Sequence, residues 1–217
     1  MNTRQEIDLS TYKRRGMFEI FSKKLIPFVS TSSNVDITKF RKKVKENNFR
    51  FFASICFALS KVVNEIPQFR HRIIDNKLYE YSSIDPGYTV LLPDNEFSFC
   101  STRHSEDFII FYENILKDIE NVLSNKDESN GDNNHQFYIT SVPWFSFTSL
   151  THPYDPVNGT IPIIALGKYF EENGVYKMPV GLQIHHGIMD GYHMGLFYEK
   201  LQTMLDAPEW LSHCSLA

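Results

Sequence analysis

Apolar residues along this chain keep two rhythms, one helical and one strand-like. Phe52, Ile55, Cys56, Leu59, Val62, Val63 and Ile66 follow helical spacing, and Pro67 comes just after. A helix is therefore predicted from about Phe51 to Ile66. Ser10 is placed to cap a short helix through Phe21, with Lys13, Arg14 and Arg15 in its first half. Asp36 or Thr38 starts a charged helix ending near Asn47. Ser105, with Glu106 and Asp107 behind it, opens another that reaches about Leu123. A final helix runs from about Tyr192 to Leu205. Strand-like stretches cover Leu25 to Thr31, Tyr88 to Leu92, Phe97 to Ser101, Phe137 to Ser141, Ile161 to Tyr169 and Val175 to Ile184. Arg72 to Tyr79 reads as a hairpin about Asp75-Asn76.

Strands and helices are mixed rather than strictly alternating. That pattern predicts an α/β fold, a two-layer sandwich with a mixed β-sheet and flanking helices, and argues against a doubly wound parallel sheet. No internal repeat is present. The one low-complexity stretch, 124–135, has no large apolar residue and contains Asn130-Gly131-Asp132, so it reads as a solvated loop. It is too short to mark a domain boundary, and a single domain spanning 1–217 is expected.

Composition narrows the function classes. The 217 residues are 42% hydrophobic and 22% charged, which excludes a disordered or fibrous chain. A formal charge of -4 gives no footprint for nucleic acid or an anionic membrane. No stretch approaches the roughly 20 apolar residues of a membrane span, and the start, Met1-Asn2-Thr3-Arg4-Gln5-Glu6, leads to no signal-type apolar run. Cys56, Cys100 and Cys214 are odd in number and widely spaced, and they read as reduced thiols of a cytoplasmic protein. The sequon Asn158-Gly159-Thr160 is then an accident of sequence. Eighteen Phe and 11 Tyr fit either a Phe-rich core or an aromatic-lined pocket.

One string carries candidate chemistry: Gln183-Ile184-His185-His186-Gly187-Ile188-Met189-Asp190-Gly191, between a strand and a helix. Adjacent histidines on a strand point to opposite faces, so only one can face a given cavity. Gly187 and Gly191 weaken a helical turn that would join His186 to Asp190, and no further His, Cys or Glu completes a zinc pattern. No metal is expected. A histidine with an unperturbed pKa of about 6.5 can serve as a general base. The competing reading is a pair of core histidines satisfied by backbone, and spacing alone leaves both open.

H-H-x-x-x-D-G closing a strand resembles the chloramphenicol acetyltransferase family and its relatives, the dihydrolipoamide acyltransferase cores. Other stretches share the resemblance: Tyr12-Lys13-Arg14-Arg15 followed by Phe18, Phe69-Arg70 through Asp75 and Leu78, and Asp85-Pro86-Gly87-Tyr88-Thr89-Val90. Pro143-Trp144-Phe145-Ser146-Phe147-Thr148-Ser149, Gly167-Lys168-Tyr169 and Met178-Pro179 continue it in family order, from about Asp8 to Leu205.

The resemblance implies a cytoplasmic homotrimer with sites at subunit interfaces, acetyl-CoA as co-substrate and no bound cofactor. Transfer to a hydroxyl of chloramphenicol or a similar small acceptor would be direct, without an acyl-enzyme. His186 would be the general base. Thr140, with Ser141 beside it, stands where the family has its oxyanion-stabilising serine. Asp190 and Arg14 would support the site through an ion pair. CoA would meet Arg50, Phe52, Trp144, Lys168 and Tyr169. The acceptor pocket maps to Phe21, Leu25, Val29, Phe97, Phe99, Leu150 and Ile163.

Besides Thr140 for the serine, this chain departs from the family pattern in four places: Phe21 stands for a Tyr, Val29 for a Phe, Phe99 for a small residue, and Ala165 for a Thr that helps hold a water. Three readings follow. One is a chloramphenicol O-acetyltransferase. Another is an acyltransferase for a different acceptor, less readily a dihydrolipoamide core, since no lipoyl region precedes the motifs. The last is a non-catalytic ligand-sequestering trimer, which the intact His186, Asp190 and Arg14 argue against.

Overall fold

The chain builds one large mixed sheet, backs it with helices, and adds a small sheet beside it. The computed structural model describes residues 2–93, 95–125, 133–156 and 159–212. In chain order the elements are β1 (Arg4–Glu6), α1 (Arg15–Phe21), β2 (Phe28–Asp36), α2 (Thr38–Glu46), α3 (Phe51–Glu65), β3 (His71–Ile74), β4 (Lys77–Tyr81) and β5 (Asp85–Leu91). There follow β6 (Phe97–Ser101), α4 (Phe108–Asn125), β7 (Gln136–Val142), β8 (Ile163–Gly167), β9 (Phe170–Glu172), β10 (Val175–His185) and α5 (Gly191–Asp206). The large sheet runs β2-β10-β8-β7-β5-β6, with β9 paired to β10, and the small one β1-β4-β3. β7 is parallel to both β5 and β8, and the other pairs are antiparallel. The expected mixed-sheet α/β architecture is therefore the one observed.

Helix α3 forms the centre of the helical layer. Its residues from Ala53 to Ser60 are all buried, as are Val62 and Val63, and Pro67 ends the run by removing a backbone donor. Met178, Val180, Leu182 and Ile184 alternate along β10 into the same core. The intervening residues face the other way. A Cβ added at Gly181 would lie 3.5 Å from the Phe147 ring, and one at Gly167 would clash with that ring and with Pro179. Two glycines thus let the 143–150 segment lie close over the sheet. The hairpin about Asp75-Asn76 is present, and both turn residues take positive φ, as a tight turn of this hand requires.

Several element boundaries differ from expectation. Ser10 does not cap α1, because Asp8 accepts both its backbone N–H and its hydroxyl (2.8 Å each), forming a separate turn. α1 begins only at Arg15. β2 starts three residues later than expected and continues to Asp36, because all nine of its residues pair with β10. Its Ser-rich stretch lacks an apolar alternation that a sequence reading could follow. The strand expected from Ile161 to Tyr169 is really β8 and β9, broken at Lys168-Tyr169. Cys56 and Cys100 are buried thiols outside any disulfide, and Cys100 Sγ donates to the Tyr88 hydroxyl at 3.3 Å; Cys214, Asn158 and most of the 124–135 loop lie outside the described residues.

Candidate active site

The turn after β10 is held from three sides. Arg14, just before α1, donates from Nη1 to Asp190 Oδ2 at 2.6 Å and from Nε to the Ile188 carbonyl at 3.0 Å. Asp190 also caps α5, its Oδ1 accepting from the Tyr192 N–H (3.1 Å) and from His193 Nδ1 (2.8 Å). Partial burial opposes ionisation of this carboxyl. Hydrogen bonds from His193 and Arg14 outweigh it and hold the pKa down at about 2. The backbone N–H of His186 donates to the Pro27 carbonyl at 2.7 Å, tying the turn to the edge strand.

The two histidines differ in environment and tautomer. His186 is half-buried, and its ring stacks on Phe21 at 4.2 Å between centroids with planes 19° apart. Its Nδ1 lies 3.1 Å from the Met189 carbonyl, which can only accept. Nδ1 therefore carries the proton and the neutral ring keeps a lone pair on Nε2. In His185 the order is reversed, because Nδ1 accepts from the Gly187 N–H at 3.1 Å. Burial, with a smaller effect from His186, pulls the His185 pKa to about 4, so that ring is neutral near pH 7. It faces a polar hollow beside Tyr154 and Thr160.

A second constellation lies elsewhere on the sheet. A cavity of about 690 Å³ is lined by Phe51, Phe52, Trp144, Lys168, Tyr169, Thr140 and Ser141 among others. The Lys168 N–H donates to the Phe145 carbonyl at 2.9 Å, which brings the Trp144 loop beside Lys168 and Tyr169. A second cavity of about 560 Å³ is lined by Phe97, Phe99, Ile163, Tyr138, His152 and Thr140 among others. Thr89, Phe97 and Thr140 border both. Ser141 borders only the first. Among the described residues, no cluster of three or more His, Cys, Asp or Glu could hold a metal ion.

The residues singled out from sequence thus fall into two groups. Phe21 and Val29 lie with His186, Val29 opposite Ile184 in the β2–β10 register. Leu25, 88% exposed, belongs to the same edge and lines neither cavity. Phe97, Phe99 and Ile163 gather around Thr140. Arg50 is exposed at the start of α3, and Leu150 is half-buried; neither borders a cavity. Register sets the distance between the groups. Thr140 pairs with Ala165, Ala165 with Gly181, and His186 stands five positions beyond Gly181. At about 3.3 Å per residue and 4.8 Å per strand, Thr140 and His186 of one chain are roughly 20 Å apart.

Sequence reasoning missed His193, Tyr138 and His152. His193 had a signal, standing three residues after a helix-capping Asp. Tyr138 had one too, two positions before Thr140 on a strand and so on its face. His152, whose pKa burial lowers, sits in an irregular segment with no local pattern to mark it.

A mixed sheet, a wired H-H-x-x-x-D-G turn and a hydroxyl between two cavities belong, by the matches that follow, to a two-layer α/β acyltransferase. The family model described as chloramphenicol acetyltransferase matches residues 1–202. The chloramphenicol acetyltransferase of Clostridium butyricum is 32% identical over 215 residues, covering 95% of this chain and 97% of the relative. That of Clostridium perfringens is 31% identical over 211 residues, covering 94% and 96%. A solved chloramphenicol acetyltransferase structure superposes with a TM-score of 0.87 at 28% identity, covering 94% of this chain and all of the other. The chain belongs to the chloramphenicol acetyltransferase family.

Proposed function

We propose that the protein transfers an acetyl group from acetyl-CoA to a hydroxyl of chloramphenicol or a similar small acceptor, at sites shared between copies of a homotrimer. The carrying observation is the division of the single chain. A histidine with a free Nε2 stands at one edge, and a hydroxyl between two cavities stands roughly 20 Å away. Each half suits a different part of one reaction, and a neighbouring copy can bring them together.

In this reading acetyl-CoA enters the Trp144 cavity, against Phe52, Lys168 and Tyr169, and reaches out of it to the exposed Arg50, which precedes the lining residue Phe51. The cations meet phosphates and the rings pack on adenine or pantetheine. The acceptor lies against Phe97, Phe99, Ile163 and Leu150 of one copy and Phe21, Leu25 and Val29 of the next. Nε2 of His186 takes the acceptor hydroxyl proton as its oxygen attacks the thioester carbonyl. The Thr140 hydroxyl donates to the resulting oxyanion. The C–S bond then breaks, and the proton passes from His186 to the CoA thiolate. Arg14 and Asp190 touch no substrate and hold the turn.

Two buried reduced thiols support a cytoplasmic location. Among the described residues no helix is long and apolar enough to cross a membrane. Acyl transfer to a different acceptor is the second reading, favoured by the departures at Phe99 and Val29 and by the polar His152 and Gln136 that line the cavity with Phe99.

Thiol release from acetyl-CoA tests the reading, with chloramphenicol and a panel of other alcohols. Release with chloramphenicol is expected, release only with other alcohols selects the second reading, and silence throughout rejects acetyl transfer. Shared sites have their own test. His186→Ala and Thr140→Ala subunits, each slowed about 100-fold or more when alone, should regain activity at about a quarter of sites when refolded together in equal amounts, by random assembly of a closed ring. No recovery in mixed trimers would place both groups in one chain's site.

A further inference from the structure

One basic side chain near the Trp144 cavity has no part in the His186 turn or the cavity lining. Arg41, on the second turn of α2, lies over two aromatic rings: its Cζ is 4.0 Å from the Tyr176 centroid and 5.4 Å from that of Tyr169. Those rings meet edge to face at 6.2 Å, and Tyr169 also lies 5.8 Å from Phe51. Tyr169 and Phe51 line the cavity, whereas Arg41 does not. Nε of Arg41 is buried without a hydrogen-bond partner. The guanidinium is thus packed by its face against rings, a cation–π arrangement. Tyr169 needs such support. It lies in the break between β8 and β9, outside the paired strand residues, and it is exposed.

We propose that Arg41 is a positioning residue for acetyl-CoA, which clamps Tyr169 between α2 and Phe51 so that the ring closes the phosphate-and-adenine end of the cavity. Charge on the neighbouring surface fits that role. Lys39, Lys42 and Lys45 are exposed on α2, and Arg50 and Lys168 are exposed nearby in the fold. Glu171 and Glu172 are the acids on the adjoining β9, and Glu172 is paired with Lys177. Tyr169, first through a hydrogen bond, raises the Arg41 pKa, so the clamp stays charged at any working pH.

The inference rests on the acetyl-CoA reading above, and the experiment separates the two. CoA binding is measured by calorimetry, and initial rates give KM for each substrate and kcat. Arg41→Met should raise the CoA Kd and the acetyl-CoA KM by about 5-fold, the loss typical of an exposed cation–π contact, with the chloramphenicol KM and kcat little changed. Arg41→Lys keeps the cation and should recover most of the affinity. Arg41→Gln serves in its place should Arg41→Met fail to fold. In a Tyr169→Ala background the Arg41→Met change should have almost no further effect. Unchanged CoA affinity in a folded Arg41 variant overturns the assignment while leaving acetyl transfer intact. Additive losses in the double variant, or a loss seen with CoA and absent with 3′-dephospho-CoA, overturn a role exerted through Tyr169. A wild-type protein that binds no CoA overturns both readings.

Discussion

The His186 turn and the Thr140 junction are built on opposite plans. Around the turn, six polar contacts fix four consecutive features: the ring tautomer, the Ile188 carbonyl, the Asp190 carboxylate and the start of α5. Around Thr140 the walls are largely aromatic and open, with Phe97 59%, Phe99 61% and Trp144 61% exposed in the single chain. Hydrogen bonds have narrow geometry, so they suit a base that must present one nitrogen in one direction. Apolar walls are non-directional and tolerate changes of shape, so they suit the holding of an apolar ligand. On the proposed mechanism, the proton-handling half is complete within one chain, whereas the substrate-holding half offers surface that a neighbouring copy can cover.

The largest effect should come from breaking the wired half. His186→Ala is expected to lower kcat at least about 100-fold, the lower end of a general base's contribution, with CoA binding intact, since His186 borders neither cavity. His185→Gln should cost less, because its ring faces the hollow on the other side. Equal losses in folded forms of both would defeat the contrast between the two histidines. At the junction, Thr140→Ala should lower kcat by about 100-fold, as loss of one oxyanion donor does, while Thr140→Ser retains activity. A larger loss from Ser141→Ala would move the donor one residue along.

These two regions also differed in how far sequence alone could reach. The turn was legible because its parts are contiguous: a strand, two histidines, a glycine and a capping Asp in nine residues. Its partner Arg14 came through family resemblance, since nothing local announces a contact 176 residues away. The junction was less legible. Its walls come from β5, β6, β7, β8 and an irregular segment, and only the register of those strands decides what faces Thr140. Helix α3 was located to within a residue, because its apolar run keeps helical spacing and Pro67 marks its end, whereas α4 starts three residues later and ends two residues later than its Ser105 start and Leu123 end suggest. The short strands β1 and β9 carry no such imprint, since their residues lie mostly at the surface.

A pH experiment sharpens the comparison from the side of stability. His71 is buried beside Tyr12 and interacts electrostatically with His193, the partner of Asp190. Burial, then Arg70, Arg72 and His193, lowers its pKa from 6.5 to about 4, despite Glu80 at 3.8 Å. The unfolded chain thus binds a proton that the folded chain refuses between pH 6.5 and 4. Stability is intact above pH 6.5 and falls as pH drops through that window, by about 2 kcal/mol per such histidine at pH 5. His185 follows the same rule. Asp190, held at about 2, keeps its contribution until pH falls below 3.8. Urea unfolding at pH 7 and pH 5 should show a smaller acid loss in His71→Leu than in the wild type. An identical loss would move the acid sensitivity away from the support of the turn.

The smallest effect concerns Ala165, which sits between the two regions in the register, paired with Thr140 on one side and Gly181 on the other. Parallel neighbours in register share a face, so a hydroxyl at 165 would stand beside that of Thr140. Space for it comes from Gly181: the position a Cβ would take there is 3.3 Å from the Ala165 Cβ, and no side chain occupies it. A hydrogen bond to a water near the oxyanion is worth about 1 kcal/mol net. If it forms only in the transition state, Ala165→Thr should raise kcat by about 5-fold and leave the CoA Kd unchanged. Overpacking is the competing outcome, because Phe147 closes the same face, and extra atoms in a packed site cost about 1–3 kcal/mol of stability. Thermal melting separates the two. A normally stable Ala165→Thr variant with unchanged or lower kcat would mean that the junction already supplies its oxyanion support without a hydroxyl at this position. The substrate-holding half would then be as specifically arranged as the turn, and the contrast between them would reduce to one of polarity.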